Sequence, residues 1–385
     1  MKLGEVCGIV YGKGLLTKNL SQEGFPVFGA NGVIGFNDKY LYEEPMVLIS
    51  CRGAYSGKIN FSPPKSYITN NSLVLDIRNK KELDKNYLFY SLSAAKKTKL
   101  VTGTAQPQVT INNAVELDIP LPPKPIQQVI VSKIEELFSE LDKGIENLRT
   151  AQQQLKTYRQ SVLKWAFEGK LTNENVKDGE LPKRWKMTNM GDVIEKPKYG
   201  TSKKCEYETK GIGVLRIPNI VKGVVDSDDL KFAEFDEQEI ETYCLREGDI
   251  LTIRSNGSVD IVGKCALIAK KDEGFLYAGY LIHLRPLQKL VLPKYLLNIL
   301  SSINLRNQIE GKAKSTSGVN NINSEELAGL MISVPTIEEQ LTVIQEIESR
   351  LSVADKMEES ITQSLQQAEA LRQSILKKAF EGKLI

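Results

Sequence analysis

The sequence predicts an α+β protein in which two mixed α/β modules alternate with two long helices, the helices pair as an antiparallel coiled coil, and the whole chain carries an internal pseudo-twofold repeat. Three observations predict this. RQSVLKWAFEGKL (Arg159 to Leu171) recurs without a gap, 213 positions on, as RQSILKKAFEGKL (Arg372 to Leu384). The same register runs back through Asp142/Asp355, Glu135/Glu348 and Gln127/Gln340 to Pro122/Pro335, so each copy is a whole element of the chain. Upstream, VLISCRGAYSGK from Val47 pairs with ILTIRSNGSVDIVGK from Ile250, and NYLFYSLS from Asn86 with KYLLNILS from Lys294. The expected division is a first module over 1–121, a spacer helix over 122–172, a second module over 173–334 and a second spacer helix over 335–385. Helices that match closely beside modules that diverge suggest one shared task for the helices and two different tasks for the modules.

Both helices have start and stop signals. The first is expected to begin near Ile126, after Pro122, Pro123 and Pro125, because proline is tolerated only in a first turn. In the second, Thr336 with Glu339 fits a capping box. Gly169 and Gly382 are expected to close the helices in the left-handed conformation, with Leu171 and Leu384 folding back. Between these limits Ile134, Leu141, Leu148, Leu155 and Val162 recur every seven residues, with Ile130, Leu137, Ala151, Tyr158 and Trp165 at intervening positions. The second copy, Ile347, Ala354, Ile361, Ala368 and Ile375 with Val343, Met357 and Leu371, keeps the phase with smaller residues. Ile145, Phe138, Leu351 and Leu365 lie outside this seam and could shield the pair or receive partner helices.

In the first module Pro26–Phe36, Pro45–Cys51 and Asn71–Ile77 read as strands and Asn86–Lys97 as a helix. In the second, strands are expected over Ile212–Ile220, Gly248–Ser255, Val262–Ala269 and Gly279–Pro286, then a helix from Pro293 to about Glu310.

At 385 residues, with 41% hydrophobic and 26% charged residues, the chain suits two domains plus connecting structure. It has no run of eighteen apolar residues, and the Met-Lys-Leu-Gly start has no apolar signal core, so the expectation is a cytoplasmic protein with no membrane partner. Five scattered cysteines support neither a disulfide framework nor a zinc site. Lys+Arg exceeds Asp+Glu by 51 to 48, a balance that permits a nucleic-acid partner without indicating one.

Catalytic signals are missing. His283, the single histidine, alternates with Leu281 and Leu284 and reads as a packed strand residue. Gly257 to Lys264 and Gly53 to Lys58 have the wrong spacing for a phosphate loop. Glu168-Gly-Lys170 looks like half of a nuclease motif, but its twin at Glu381 and its place at a helix end mark it as a cap. No catalytic residue, metal ligand or cofactor is therefore expected.

What remains are loops where basic and amide side chains sit among glycines, groups able to neutralise phosphates or read base edges. In the first module the candidates are Arg52, Lys58, Asn70, Lys97, Gln106 and Gln108; in the second they are Lys203, Lys204, Arg216, Asn219, Arg254, Asn256, Lys264, Lys312, Lys314 and Asn320. Arg254 leads, with Arg52 as its expected counterpart. Taken singly each residue also fits a solvated loop; the argument rests on recurrence at matching places in both halves. Two other readings stay open. A tandem scaffold whose modules bind protein would lack salt-sensitive DNA affinity, and an enzyme would transfer methyl groups as an isolated chain.

GFPVFGANGVIG followed by VLISCRGAYSGK, LPKRW followed by MGDV (Leu181 to Val193), the P-x(4)-Q helix starts and the LKxAFEGKL helix ends together resemble the specificity subunit of a type I restriction-modification enzyme, over essentially the whole chain. The first module starts at LGEV and lacks the LPxxW segment, so its edge is expected to be completed by the C-terminus. The resemblance implies that each module is a target recognition domain reading one half of a split double-stranded DNA sequence, while the helices set the separation. It implies two modification subunits, which would carry S-adenosylmethionine and methylate adenine, and restriction (motor-nuclease) subunits. The acidic residues Asp226, Asp228, Asp229 and Asp236 to Glu241 would then face away from DNA.

Overall fold

The computed structural model describes residues 1–95, 100–103, 107–173, 175–316 and 318–385, without the side chains of 314–316. The chain divides into two units, Met1–Thr150 with Ile361–Ile385, and Ala151–Ser360. No helix among the described residues is long and apolar enough to cross a membrane.

In the first unit an antiparallel sheet runs in the order Cys7–Tyr11, Ser72–Ile77, Val47–Ser50, Ile59–Phe61. Val47–Ser50 is buried on both faces, which is why it reads as a continuous apolar run. The expected strand over Pro26–Phe36 is instead a hairpin of Phe25–Phe28 with Val33–Asn37. Gly29 and Gly32 make the turn, Gly29 N–H donating to the Gly32 carbonyl over 2.8 Å while Gly32 takes φ +147°. The helix Lys85–Ala94 starts where Asp84 accepts from the N–H groups of Asn86 and Tyr87. The core joins Leu3, Leu75, Leu88 and Leu92 to Ile130 and Ile134 of one long helix and to Ile375, Leu376 and Ala379 of the other, with Leu384 packed on its margin. The C-terminal residues thus complete this module's core. Its N-terminal edge closes on residues 117–119, with Leu3 N–H donating to the Leu117 carbonyl over 2.8 Å.

The second unit holds a six-stranded sheet in the order Ile220–Val221, Gly223–Val225, Cys265–Leu267, Ile250–Ile253, Leu281–Leu284, Lys198–Tyr199. A three-stranded sheet (Lys231–Ala233, Ile212–Leu215, Leu276–Tyr277) and a ribbon (Ser255–Asn256, Val319–Asn321, Lys314–Thr316) complete it, along with the pair Lys186–Asn189 and Met331–Val334. The expected strand over Ile212–Ile220 breaks at a 3-10 turn, Ile217–Asn219, where Pro218 has no N–H to give a ladder. The expected helix from Pro293 is two helices, Pro293–Leu300 and Ile303–Lys312; Ser302 divides them by donating back to the Ile299 carbonyl and capping the second.

The long helices are Lys124–Phe167 and Ile337–Phe380. Thr336 and Glu339 form the capping box, with both N–H···O distances 3.3 Å. Gly169 and Gly382 close the helices at φ +76° and +69°. A Cβ on Gly169 would strike the Pro182 ring, whereas one on Gly382 would meet nothing. The helices run antiparallel within each unit. In the first, Arg372 pairs with Asp142 and its guanidinium lies 4.5 Å from the Phe138 ring. In the second, Arg159 pairs with Asp355 (2.6 Å) and Glu358 (2.8 Å). Under the 213-residue repeat these are the same bridge twice. The seam differs from the expected one. Tyr158, Trp165, Met357 and Leu371 are exposed, while Phe138, Ile145, Leu351 and Leu365 are half-buried. Positions three and four residues on from the seven-residue line flank it on opposite sides, and near the modules both flanks are covered: Ile130, Leu137 and Val343 pack there as expected, beside Phe138 and Leu351. Phe138 meets the Tyr90 ring at 5.9 Å, and Leu351 lies against the second core.

Each junction between module and helix is built around a fully buried glutamine. Gln127 Oε1 accepts from Asp84 N–H (2.9 Å), and its Nε2 donates to the carbonyls of Glu82 (2.7 Å) and Pro122 (2.8 Å). Gln340 accepts from Leu292 N–H (2.8 Å) and donates to Leu290 (2.8 Å) and Pro335 (3.1 Å). Beside them, Tyr87 and Tyr295 donate their hydroxyls to the carbonyls of Pro120 (3.1 Å) and Ser333 (2.8 Å), and each stacks edge-on at 5.3 Å, on Phe380 and Phe167 respectively.

Gln340→Ala removes the partner of the Leu292 N–H and of the carbonyls of Leu290 and Pro335 at this junction. It should lower the stability of the second unit by about 2 to 4 kcal/mol, at roughly 1 to 3 kcal/mol for each such group with partial relaxation. Urea unfolding followed by tryptophan fluorescence reads this directly, since both tryptophans, Trp165 and Trp185, belong to that unit.

The second unit also holds a buried charge cluster. Asp249 receives two hydrogen bonds from Arg285, both 2.7 Å, and His283 Nε2 stands 2.9 Å away. Burial opposes ionisation of Asp249, but the hydrogen bonds from Arg285 and the contact with His283 outweigh it and hold the carboxyl at about 2, below its ordinary 3.8. A depressed carboxylate stabilises the fold above its unfolded pKa and loses that contribution as pH falls through its folded value. About 2 kcal/mol of stability should therefore disappear between roughly pH 4 and 2. Asp249→Asn should be weaker at neutral pH and lack this step; an identical acid profile for mutant and parent would refute the assignment.

Candidate nucleic-acid interface

Arg254 follows the strand Ile250–Ile253 directly and is held from four sides. Its N–H donates to the Tyr280 carbonyl (3.0 Å), and its own carbonyl accepts from Ile322 N–H (2.9 Å). The guanidinium lies over the Tyr199 ring at 4.4 Å, and its Nε donates to Asn321 Oδ1 at 3.2 Å. Tyr199 is anchored in turn, its hydroxyl accepting from Ser324 N–H (3.0 Å). The step after it is Gly200, where any Cβ would run into the carbonyl oxygens of Tyr277 and Ala278. This close approach fixes the end of the strand Lys198–Tyr199 and with it the tyrosine. Among the described residues no carboxylate pairs with Arg254.

The ribbon beside it carries Asn256 opposite Asn320 and Ser255 opposite Asn321. Asn320 Nδ2 donates to the Gly257 carbonyl (3.1 Å), and Asn256 Oδ1 accepts from Ser258 N–H (3.0 Å). Lys314 opens the ribbon as backbone, and its side chain lies outside the described residues. Lys312 ends the preceding helix. Lys264 is exposed at the base of the Arg254 loop, where its carbonyl accepts from Ile253 N–H, and it lines a groove with Lys222 and Arg306.

The remaining candidates of this module are differently placed. Asn219 is 1% exposed and saturated: its Oδ1 accepts from Arg216 N–H, and its Nδ2 donates to the carbonyls of Asp226 and Asp229. It ties a turn together and presents nothing outward, which corrects the expectation. Arg216 pairs with Asp229 (3.1 Å), Lys203 with Glu239 (2.6 Å) and Lys204 with Glu206 (2.7 Å). Three members of the basic set are thus neutralised by the module's own acidic residues.

In the first module Arg52, Lys58, Asn70 and Gln108 gather at the matching end of the strand Val47–Ser50. Arg52 bridges Gln108 through the backbone, Lys58 closes the loop by accepting from Ser50 N–H (2.8 Å), and Asn70 O accepts from Cys51 Sγ. Lys97 and Gln106 lie outside the described residues. Arg52 is not the counterpart of Arg254. Val109 N–H donates to the Cys51 carbonyl as Ile322 N–H does to that of Arg254, so the equivalent residue is Cys51, which is 1% exposed. The shift of one residue in extended backbone turns the side chain to the other face. By the same registers Tyr11, paired with Leu73, matches Tyr199, paired with Ile282, and Gln108 matches Asn321. Gly12 repeats the Gly200 crowding against the carbonyls of Ile68 and Thr69. Tyr199, Asn321 and Tyr11 were not among the candidates, although a Tyr-Gly step in each half and the 213-residue offset of Gln108 and Asn321 are both readable in the sequence.

Comparison with known proteins agrees with this two-part design. The family described as type I restriction modification DNA specificity domain matches residues 1–149 and 182–370. Among curated proteins, the type I restriction enzyme EcoKI specificity subunit of Escherichia coli (strain K12) is 33% identical over 269 residues, covering 70% of this chain and 58% of that protein. The StySPI specificity subunit of Salmonella potsdam is 27% identical with the same coverage of each. The chain therefore spans about 58% of the length of these relatives. Of solved structures, a chain from work on assembly and conformational transition of the type I R-M system superposes with a TM-score of 0.72 at 20% identity, covering 100% of this chain and 97% of that one. The HsdS subunit from Thermoanaerobacter tengcongensis gives 0.58 at 19% identity, covering 100% and 96%; at these identities the likeness is one of fold. With the family match extending over most of its length in two stretches, the chain belongs to the type I restriction-modification DNA specificity family.

Proposed function

We propose that this chain is the sequence-specific DNA-binding specificity subunit of a type I restriction-modification complex. Each module reads one half of a bipartite double-stranded target, and the long helices hold the spacing and dock two modification (methyltransferase) subunits, with restriction subunits joining them. The chain itself is non-catalytic and works in the cytoplasm. The observation that carries the reading is the pair of tips. Two modules share one scaffold down to the same glutamine, tyrosine and glycine contacts, yet present different groups at the same point, Arg254 in one and Cys51 in the other. A conserved frame with a changed tip is what two readers of different sequences require. The family membership and the names of the curated relatives support it.

Exchange of residues 173–334 for the equivalent module of a relative should alter one half of the methylated sequence and leave the other intact when the chain is expressed with its modification subunits. Methylated adenines mapped across the genome give the answer. A change in both halves, or in neither, argues against independent readers, and protein binding without salt-sensitive DNA affinity would favour a scaffold.

Four residues added to both long helices at facing positions lengthen each by about 6 Å. At about 3.4 Å per base pair, the gap between the half-sites should grow by one to two base pairs while both halves keep their bases. An unchanged gap with activity retained would mean that the helices do not set the spacing.

A further inference from the structure

We infer that Arg254, Tyr199 and Asn321 form one preorganised reading unit through which the second module demands a guanine at a single position of its half-site, and that the first module makes no such demand at the equivalent point. The inference rests on the DNA-reading function proposed above.

A surface arginine that meets a base ordinarily gives up much of its rotamer freedom at that moment, an entropic cost that weakens the contact. Here the ordering is built into the fold. The backbone of Arg254 is bonded through both N–H and C=O, the guanidinium carbon stands 4.4 Å from the centre of the Tyr199 ring, and Nε is occupied by Asn321. Tyr199 cannot move freely either, since its hydroxyl is held by Ser324 and Gly200 is wedged against two carbonyls. Among the described residues the two Nη amino groups have no protein partner. What is left is a flat two-donor edge of fixed orientation and uncompensated charge. The O6 and N7 acceptors of guanine in the major groove match such an edge bidentately.

A phosphate would also accept two hydrogen bonds, but it needs no such rigidity, and flexible lysines serve it well. The neighbours at this tip are amides, Asn256 and Asn320, whose donor and acceptor pairs suit base edges. In the first module the three equivalent positions hold Tyr11, Cys51 and Gln108. The platform and the amide persist, while the guanidinium is replaced by a buried thiol. The same frame therefore carries a guanine reader in one half and lacks it in the other. Tyr199 and Asn321 act through Arg254 and are positioning residues.

The test uses the full chain with its modification subunits and reads the methylated target by sequencing, together with binding to duplexes in which each base pair of the half-site is replaced in turn. Arg254→Ala should lose discrimination at one G·C pair, by roughly tenfold to a hundredfold, and at no other. Tyr199→Ala and Asn321→Ala should relax the same position to a smaller degree. Tyr199→Phe keeps the ring but loses the hydrogen bond from Ser324 and should relax the position less than Tyr199→Ala, whereas Arg254→Lys, which retains the charge without the fork, should lose the discrimination. Unaltered reading of the first half-site serves as the control that each variant folds and assembles. Arg254→Ala with an unchanged target, or with equal loss of affinity for every sequence as a phosphate contact would give, overturns the inference while leaving the DNA-reading function standing. A parent chain that yields no bipartite methylation overturns both.

Discussion

The structure depends on a rule about buried backbone: a polar group taken out of water must find a partner. Where each module hands over to its long helix, three strand-less segments meet, and their carbonyls and amides have no ladder to join. One glutamine side chain, carrying an acceptor and two donors, settles three of these groups at once, at Gln127 and again at Gln340. An apolar residue of the same size would fill the space and leave the groups orphaned. A glutamate would lack the donors. The module helix, the helix start and the adjoining loop take their mutual geometry from that one amide, and the tyrosine hydroxyl beside it secures the segment leading into the helix.

The tips show how such a frame can carry variable chemistry. The residues that position Tyr199 belong to the sheet and the crowded glycine that follows it, while the residue that would touch a partner sits one bond beyond the last buried strand position. Replacing an arginine by a cysteine there turns a charged, half-exposed group into a buried one, yet the backbone pairing on either side is unchanged between the modules. Net charge tells little about such a surface. The second module pairs Lys203, Lys204 and Arg216 with its own Glu239, Glu206 and Asp229, so a balance near neutrality coexists with an arginine that, among the described residues, has no counter-ion.

Much of this was legible in the sequence because it is written twice. The unbroken repeat marked the helices, and glycine, proline and the Thr336–Glu339 box marked their ends to within two residues. The seam holds at Ile130, Leu137 and Val343 but not at Tyr158, Trp165, Met357 and Leu371, because a seven-residue period does not say where along each flank a module covers the helix. Short strands were lost where Pro218 interrupts a ladder or where Gly29 and Gly32 fold one apparent strand into a hairpin. At the tip Arg254 is a candidate because it follows a strand directly, and that placement is readable in the sequence. Its partners were missed because Tyr199 and Asn321 lie far apart in sequence, and Asn219 was misjudged because an amide in a loop looks the same whether it faces inward or outward.

The two glycine caps stand under unequal constraint. Both hold a left-handed backbone, where any side chain with a Cβ costs about 1 to 2 kcal/mol. At Gly382 no described atom lies within reach of a Cβ, so that cost stands alone, and asparagine, which visits the same region most readily after glycine, could stand there. At Gly169 the Pro182 ring occupies the place a Cβ would need, and with Trp185 packed nearby nothing larger than hydrogen fits without moving the LPKRW segment. The FEGK motifs match letter for letter, but the copy at Gly169 is locked by its neighbours and the copy at Gly382 by backbone preference, so substitution should be tolerated at Gly382 before Gly169.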